Sequence, residues 1–133
     1  MKKITLALAF LLILSSCGVR QTRDMLTSGD YDGAIQSAVE GLRGNKNAKG
    51  KQDYAYMLEE AFAKAKERDL RNIDAWFKDA NPQNLEKIYD TYVQLNARQE
   101  RIRPILPVRL LKEGRDAIFH YVFYFLLNVL LNF

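Results

Sequence analysis

The sequence has one cysteine, one histidine and three prolines among its 133 residues. A single cysteine excludes an internal disulfide and a thiolate metal cluster. The lone histidine, His120, sits in an uncharged apolar stretch, so no metal set is expected around it. No Gly-rich phosphate loop, G-x-S-x-G turn or Ser-His-Asp arrangement occurs. Carboxylates are plentiful, but neighbours such as Glu59 and Glu60 point in different directions on a helix and do not share a substrate. The sequence therefore nominates no catalytic residue, no cofactor and no small-molecule substrate. One-sided charge is missing too. Twenty basic side chains face sixteen acidic ones, which gives no ground for a nucleic-acid partner. With few prolines and glycines in a chain rich in Ala, Leu, Glu, Lys and Arg, the expected fold class is all-α.

What is present begins at the N-terminus. Lys2 and Lys3 precede an apolar run from Ile4 to Leu14, and the small residues Ser15 and Ser16 lead to Cys17. Positive start, short apolar middle and small residues at the cut are the layout of a secretory signal. As a helix the run measures roughly 16 Å against a hydrocarbon core of about 30 Å, too short for a comfortable span. Leu14-Ser15-Ser16-Cys17 resembles the lipobox of bacterial lipoproteins. The resemblance implies cleavage between Ser16 and Cys17, a diacylglyceryl group on the Cys17 sulfur and acylation of the new amine. Two or more acyl chains make a stable anchor where one does not. Gly18 stands where an inner-membrane retention signal has Asp, so the resemblance favours the outer membrane, with the domain on the periplasmic face. Losing Lys2 and Lys3 leaves 18 basic and 16 acidic side chains.

The domain plan that follows is a signal peptide over 1–16, a lipidated tether over 17–22, a helical domain over 23–116 and an apolar tail over 117–133. Within the domain, Gly29-Asp30-Tyr31-Asp32-Gly33-Ala34-Ile35 resembles the turn and second helix of a tetratricopeptide repeat. In that resemblance Gly29 makes the turn, and Tyr31, Ala34 and Ile35 belong to the packing face of the hairpin. Independently of it, Asp30 suits a helix N-cap, and Tyr31, Ala34, Ile35, Ala38 and Leu42 fall on one helical face. The match covers about fourteen residues. Gly18, Gln21 and Thr22 occupy the positions of the repeat's large first-helix residues, and no second copy follows at about 34 residues. An ordinary helix hairpin satisfies the same pattern. The expected architecture is antiparallel helix hairpins, as a tetratricopeptide-like small solenoid or a bundle.

Arg43 to Gln52 reads first as a polar, solvated loop; contact of its four cations with anionic lipid or sugar polymer is the lesser reading. Asp53 to about Lys78 reads as a long helix with an apolar stripe of Tyr54, Leu58, Ala61, Phe62, Ala65, Ile73, Trp76 and Phe77. The stripe weakens at Arg68 to Asn72, where a bend or break is expected. Asn81-Pro82 signals the next helix, running to about Arg103. Its seam is Leu85, Ile88, Tyr92, Leu95, Gln99 and Ile102, widened by Tyr89, and it suits antiparallel packing on the preceding helix. Arg103-Pro104-Ile105-Leu106-Pro107 ends it. From Arg98 to Arg115, six basic residues face Glu100 and Glu113, which reads first as a charged helix end and linker and secondly as a patch for an anionic partner.

The tail Ala117–Phe133 carries no charge. In a helix, His120, Tyr124, Asn128 and Asn132 would line one polar stripe. Three readings stay open: a short transmembrane helix, opposed by the basic flank on its exported side; a buried core helix; and a frameshifted or truncated end, suggested by the abrupt composition change after Asp116 and by residues typical of AT-rich codons. The third is carried forward. The function expected from all of this is a membrane-anchored, non-catalytic interaction or scaffold module for another envelope protein. An accessory or enzyme acting on cell-wall polymer and a degenerate gene product are the alternatives.

Overall fold

The computed structural model describes residues 17–122. The signal stretch 1–16, the cleavage residue Ser16 and the tail residues 123–133 lie outside the described residues. The fold is all-α. Residues 17–28 are helical (α1), followed by α2 (Tyr31–Leu42), α3 (Gln52–Asp79) and α4 (Asn84–Ile102). Single 3-10 turns, Lys49–Lys51 and Arg103–Ile105, precede α3 and follow α4. A small antiparallel ladder, β1 (Arg109–Leu110) with β2 (Arg115–Asp116), completes the described elements.

Consecutive helices pack antiparallel. Gly29 takes φ +87°, a conformation open to glycine, and reverses the chain between α1 and α2. Asp30 caps α2 by accepting from the Gly33 N–H at 3.0 Å. Across this hairpin the Thr22 and Ser37 hydroxyls meet at 2.6 Å. Ala34, Ile35 and Ala38 are fully buried, and Tyr31 is half-buried against the same core. Between α2 and α3, Gly41 lies against the Tyr54 ring near one end and Asp32 reaches Arg68 near the other. Between α3 and α4, Trp76 pairs with Asn84 and Asp69 with Arg98.

The tether expected over 17–22 is instead part of α1. Val19 packs on the core and Thr22 is fully buried, its hydroxyl satisfied by the Gly18 carbonyl and by Ser37. The break expected at Arg68 to Asn72 is also absent. α3 runs unbroken for 28 residues and ends where Ala80 turns left-handed at φ 51°. Asn81 and Pro82 form the turn into α4, with the Asn81 side chain accepting from the Gln83 N–H at 3.0 Å.

Two apolar clusters result. The larger joins α1, α2 and the first half of α3 with Ile102, Val108 and Leu110. The smaller joins Ile73, Ile88 and Leu95, with Leu70, Trp76 and Tyr92 against it. Residues 117–122 follow β2 as extended chain, not as helix. Ala117, Phe119 and Tyr121 turn towards the larger cluster, while Ile118 and His120 face outward. Phe119 meets Phe62 edge-on at 5.3 Å. Glu59 accepts the Ile118 N–H at 2.6 Å and Gln99 the Val122 N–H at 2.7 Å. The composition break after Asp116 therefore does not coincide with a break in packing. The polar stripe expected of a helix does not apply to 117–122, where alternation by two sorts the side chains.

Candidate interaction surfaces

Three places collect polar or exposed side chains with a definite geometry. The first is a charged layer between the two apolar clusters. Arg98 of α4 is only 3% exposed. It grips Asp32 of α2 with both prongs, Nε to Oδ1 at 2.5 Å and Nη2 to Oδ2 at 3.1 Å. Its Nη1 lies 2.6 Å from Oδ2 of Asp69, itself 5% exposed. Arg68 closes the set, donating from Nε to Asp69 at 2.9 Å and reaching Asp32 at 3.5 Å, and its guanidinium lies over the Tyr31 ring. Burial alone would push the Asp32 carboxyl up. The hydrogen bonds and charges of Arg98 and Arg68 outweigh that and hold it below its usual range. Burial likewise disfavours the Arg98 cation, and its contacts with Asp32 and Asp69 reverse the sign. Each charge in this layer faces an opposite charge within the layer, although Arg98 Nη1 and Asp69 Oδ2 meet as an ion pair outside hydrogen-bond geometry. It ties α2, α3 and α4 together rather than offering a group to a substrate.

The second place is the end of the bundle that holds Cys17. Cys17 is exposed. A Cβ on Gly18 or on Gly41 would run into Tyr54 at the start of α3, so α1 begins, α2 ends and α3 begins at one spot. The 43–51 loop sits there, clipped by Lys51 Nζ on the Arg43 carbonyl and by Lys46 Nζ on the Ile105 carbonyl at 2.8 Å. Gln52 holds the small ladder beside it, donating to the Arg109 carbonyl at 3.0 Å and accepting from the Leu111 N–H at 2.8 Å.

The third place is the opposite end. Trp76, Phe77, Ala80, Asn81, Pro82, Leu85 and Ile88 line a cleft of about 360 Å³. From Tyr54 to Trp76 is about 33 Å along α3 at 1.5 Å per residue. Phe77, Leu85 and Tyr89, expected in packing stripes, are exposed at 48%, 40% and 55%, and Val93 continues the α4 row. α4 meets α3 along Ile88, Tyr92 and Leu95, so the neighbouring 85-89-93 row is left uncovered.

The basic patch expected from Arg98 to Arg115 divides. Arg98 is buried in the charged layer. Arg103 pairs with Glu100, Arg109 with Asp116, and Arg115 with Glu59 and Glu113. Arg115 pulls the Glu59 carboxyl well below its usual range by hydrogen bonding, with the Ile118 N–H adding to the effect. Among the described residues, Arg101 and Lys112 are the two of the six left without an ion pair or hydrogen bond. Among the described residues, no three His, Cys, Asp or Glu side chains converge as a metal set, and no helix is long and apolar enough to cross a membrane. Neither the charged layer nor the cleft was nominated by the sequence reading. Asp69 and Arg98 did leave a signal, as charges standing on otherwise apolar stripes. No family model matches the chain, and no curated protein or solved structure matches it either.

Proposed function

We propose that the chain is a bacterial envelope lipoprotein, cleaved between Ser16 and Cys17, acylated on Cys17 and held on the periplasmic face of a membrane, the outer one by preference. Its work is non-catalytic: the helical domain presents a docking surface to another envelope protein, and the anchor raises the concentration of that surface at the membrane. The observation that supports this most is the apolar cleft with its exposed row Leu85, Tyr89 and Val93, about 33 Å along α3 from the end that holds Cys17. A patch of this kind on a small domain marks an interaction site. Around it, residues 74–90 carry Asp74, Asp79, Glu86 and Asp90 against Lys78 and Lys87. The partner this chemistry fits is a segment with apolar anchor side chains flanked by basic residues.

Two experiments test the proposal. The full precursor, with and without Cys17→Ala, is labelled with a radioactive fatty acid and the membranes are fractionated. Label and membrane association should both vanish with the substitution, and association that survives it without label sinks the anchor. A photo-crosslinking side chain placed at Leu85 or Tyr89 in living cells should then yield one discrete adduct that Glu86→Lys with Asp90→Lys abolishes. The same side chain at Gln36 should yield none. Equal adducts from Gln36 and Tyr89 rule out the cleft as the docking surface.

A further inference from the structure

The sequence carries two basic stretches about sixty residues apart, and the fold places them side by side. Lys46 Nζ on the Ile105 carbonyl, and Gln52 on the Arg109 carbonyl and the Leu111 N–H, seat the 43–51 loop and the first residues of α3 (together 43–53) against the 109–116 ladder. Together these two segments hold seven basic and three acidic side chains. Two of the three acids are spent within the ladder, Glu113 on Arg115 and Asp116 on Arg109. Arg43, Lys49 and Lys112 are exposed and make no ion pair among the described residues, while Lys46 and Lys51 donate to backbone carbonyls rather than to carboxylates. Leu111, 43% exposed, stands next to Lys112 at the tip of the ladder turn. All of this lies at the end of the bundle where Tyr54 receives Gly18, one residue from Cys17.

We propose that this end is a membrane-docking face that binds anionic lipid headgroups, with the unpaired cations Arg43, Lys49 and Lys112 meeting phosphate and Leu111 entering the interface. The inference rests on the anchor proposed at Cys17 and deepens it. A lipid at the start of α1 holds the domain at the membrane without fixing its orientation, whereas a basic face beside the anchor seats it with α3 pointing away from the bilayer and the apolar cleft outward. The charge supports a lipid surface over a protein partner, because the cations are spread over a loop and a turn rather than gathered on one element. Anionic headgroups form such a diffuse counter-surface, and a few basic residues next to a lipid anchor bind it additively.

The test uses the full lipidated chain reconstituted in vesicles of phosphatidylcholine alone or with one third phosphatidylglycerol. Lysines are acetylated briefly with an amine-reactive ester, and each site is read by mass spectrometry. In the anionic vesicles Lys49 and Lys112 should slow about fivefold, the factor a single basic residue contributes near an anionic leaflet, and should recover in 1 M NaCl. Lys78 and Lys87, at the far end, should not change. Equal rates at Lys49 and Lys112 in the two vesicle types overturn the proposal. So does slowing by soluble polyphosphate without slowing by anionic vesicles, which would transfer the patch to a wall polymer. The same digest shows whether the Cys17 peptide carries acyl mass. If it does not, the anchor fails on its own, and the lysine rates of the unanchored chain still decide whether the face prefers anionic lipid.

Discussion

Replacing Arg98 by Met is the sharpest test of how the domain is held together. Methionine keeps most of the side-chain volume and removes the charge. Asp69, 5% exposed, then loses the contact at 2.6 Å and retains only Arg68 Nε at 2.9 Å. Asp32, nearly half exposed, loses both prongs but can turn to water. The dominant cost is the buried aspartate left partly unanswered. Breaking a buried pair by removing one partner costs about 3–5 kcal/mol, and because Arg68 remains we expect the lower part of that range. For a domain of this size, about 3 kcal/mol lowers the Tm by roughly 10–15 °C. The double variant Arg98→Met with Asp69→Leu removes the buried charge on both sides and should recover about 2 kcal/mol relative to Arg98→Met alone. The assay is urea unfolding of the full chain in non-ionic detergent, followed by fluorescence of Trp76, the only tryptophan. An Arg98→Met variant within 1 kcal/mol of the parent would refute the buried layer. So would a double variant whose loss is simply the two single losses added.

Three further outcomes follow from local geometry. Ala80 ends α3 in the left-handed region, where a Cβ costs about 1–2 kcal/mol, so Ala80→Gly should raise stability by about 0.5–1 kcal/mol in the same unfolding assay; a loss would show that the left-handed turn is not populated. A methyl on Gly41 meets the Tyr54 ring, and Gly41→Ala should cost about 1–3 kcal/mol, with Tyr54→Ala in the same chain relieving the clash; a neutral Gly41→Ala would contradict the close approach of α2 to α3. Glu59 is held below its usual range chiefly by the Arg115 hydrogen bonds, and Asp32 is held low against the opposing effect of burial. A depressed folded pKa gives stability that is present above the unfolded value, near pH 4, and is lost as pH falls through the folded one. Urea midpoints should therefore be level from pH 7 to about 5 and fall below about 4.5. Glu59→Gln should flatten the fall, and an identical slope with and without it would remove Glu59 from the account.

The helices were legible because their signals are local. The cap at Asp30, the turn at Gly29 and the spacing of Ala34, Ile35, Ala38 and Leu42 each depend on a few neighbouring residues, and each stands where the sequence puts it. Long-range polar pairing was not legible. The stripe of α3 fades at Arg68 and Asp69, and fading apolar periodicity reads as a helix weakening. The cause is a second kind of buried contact: Asp69 keeps its place on the stripe because Arg98, 29 positions away, neutralises it. The same confusion hid Arg98, which the net charge of its segment assigned to a surface patch. A charged residue standing at core spacing is ambiguous in sequence, since its meaning depends on whether a second such residue exists elsewhere. Asp69 and Arg98 each supply the other's explanation.

The tail failed differently. Uncharged apolar residues fit helix and strand templates alike, and for Ala117 onward the readings are two kinds of helix and a frameshifted or truncated end. What decides residues 117–122 is that α3 and α4 have already used their own backbone hydrogen bonds. On these helices only side chains remain to receive an arriving chain: Glu59 and Gln99 accept the Ile118 and Val122 N–H groups and Lys66 donates to the His120 carbonyl, while the Ala117 N–H pairs with the Val108 carbonyl. A helix laid in the same place would need neither acceptor and would leave the buried oxygen of Gln99 without this donor, at a cost of about 1–3 kcal/mol. An extended segment satisfies both acceptors while Phe119 and Tyr121 reach Phe62. The choice between helix and extended chain was thus made by the Val108 carbonyl together with two polar side chains on helices earlier in the sequence, Glu59 and Gln99. No window within the tail contains any of them.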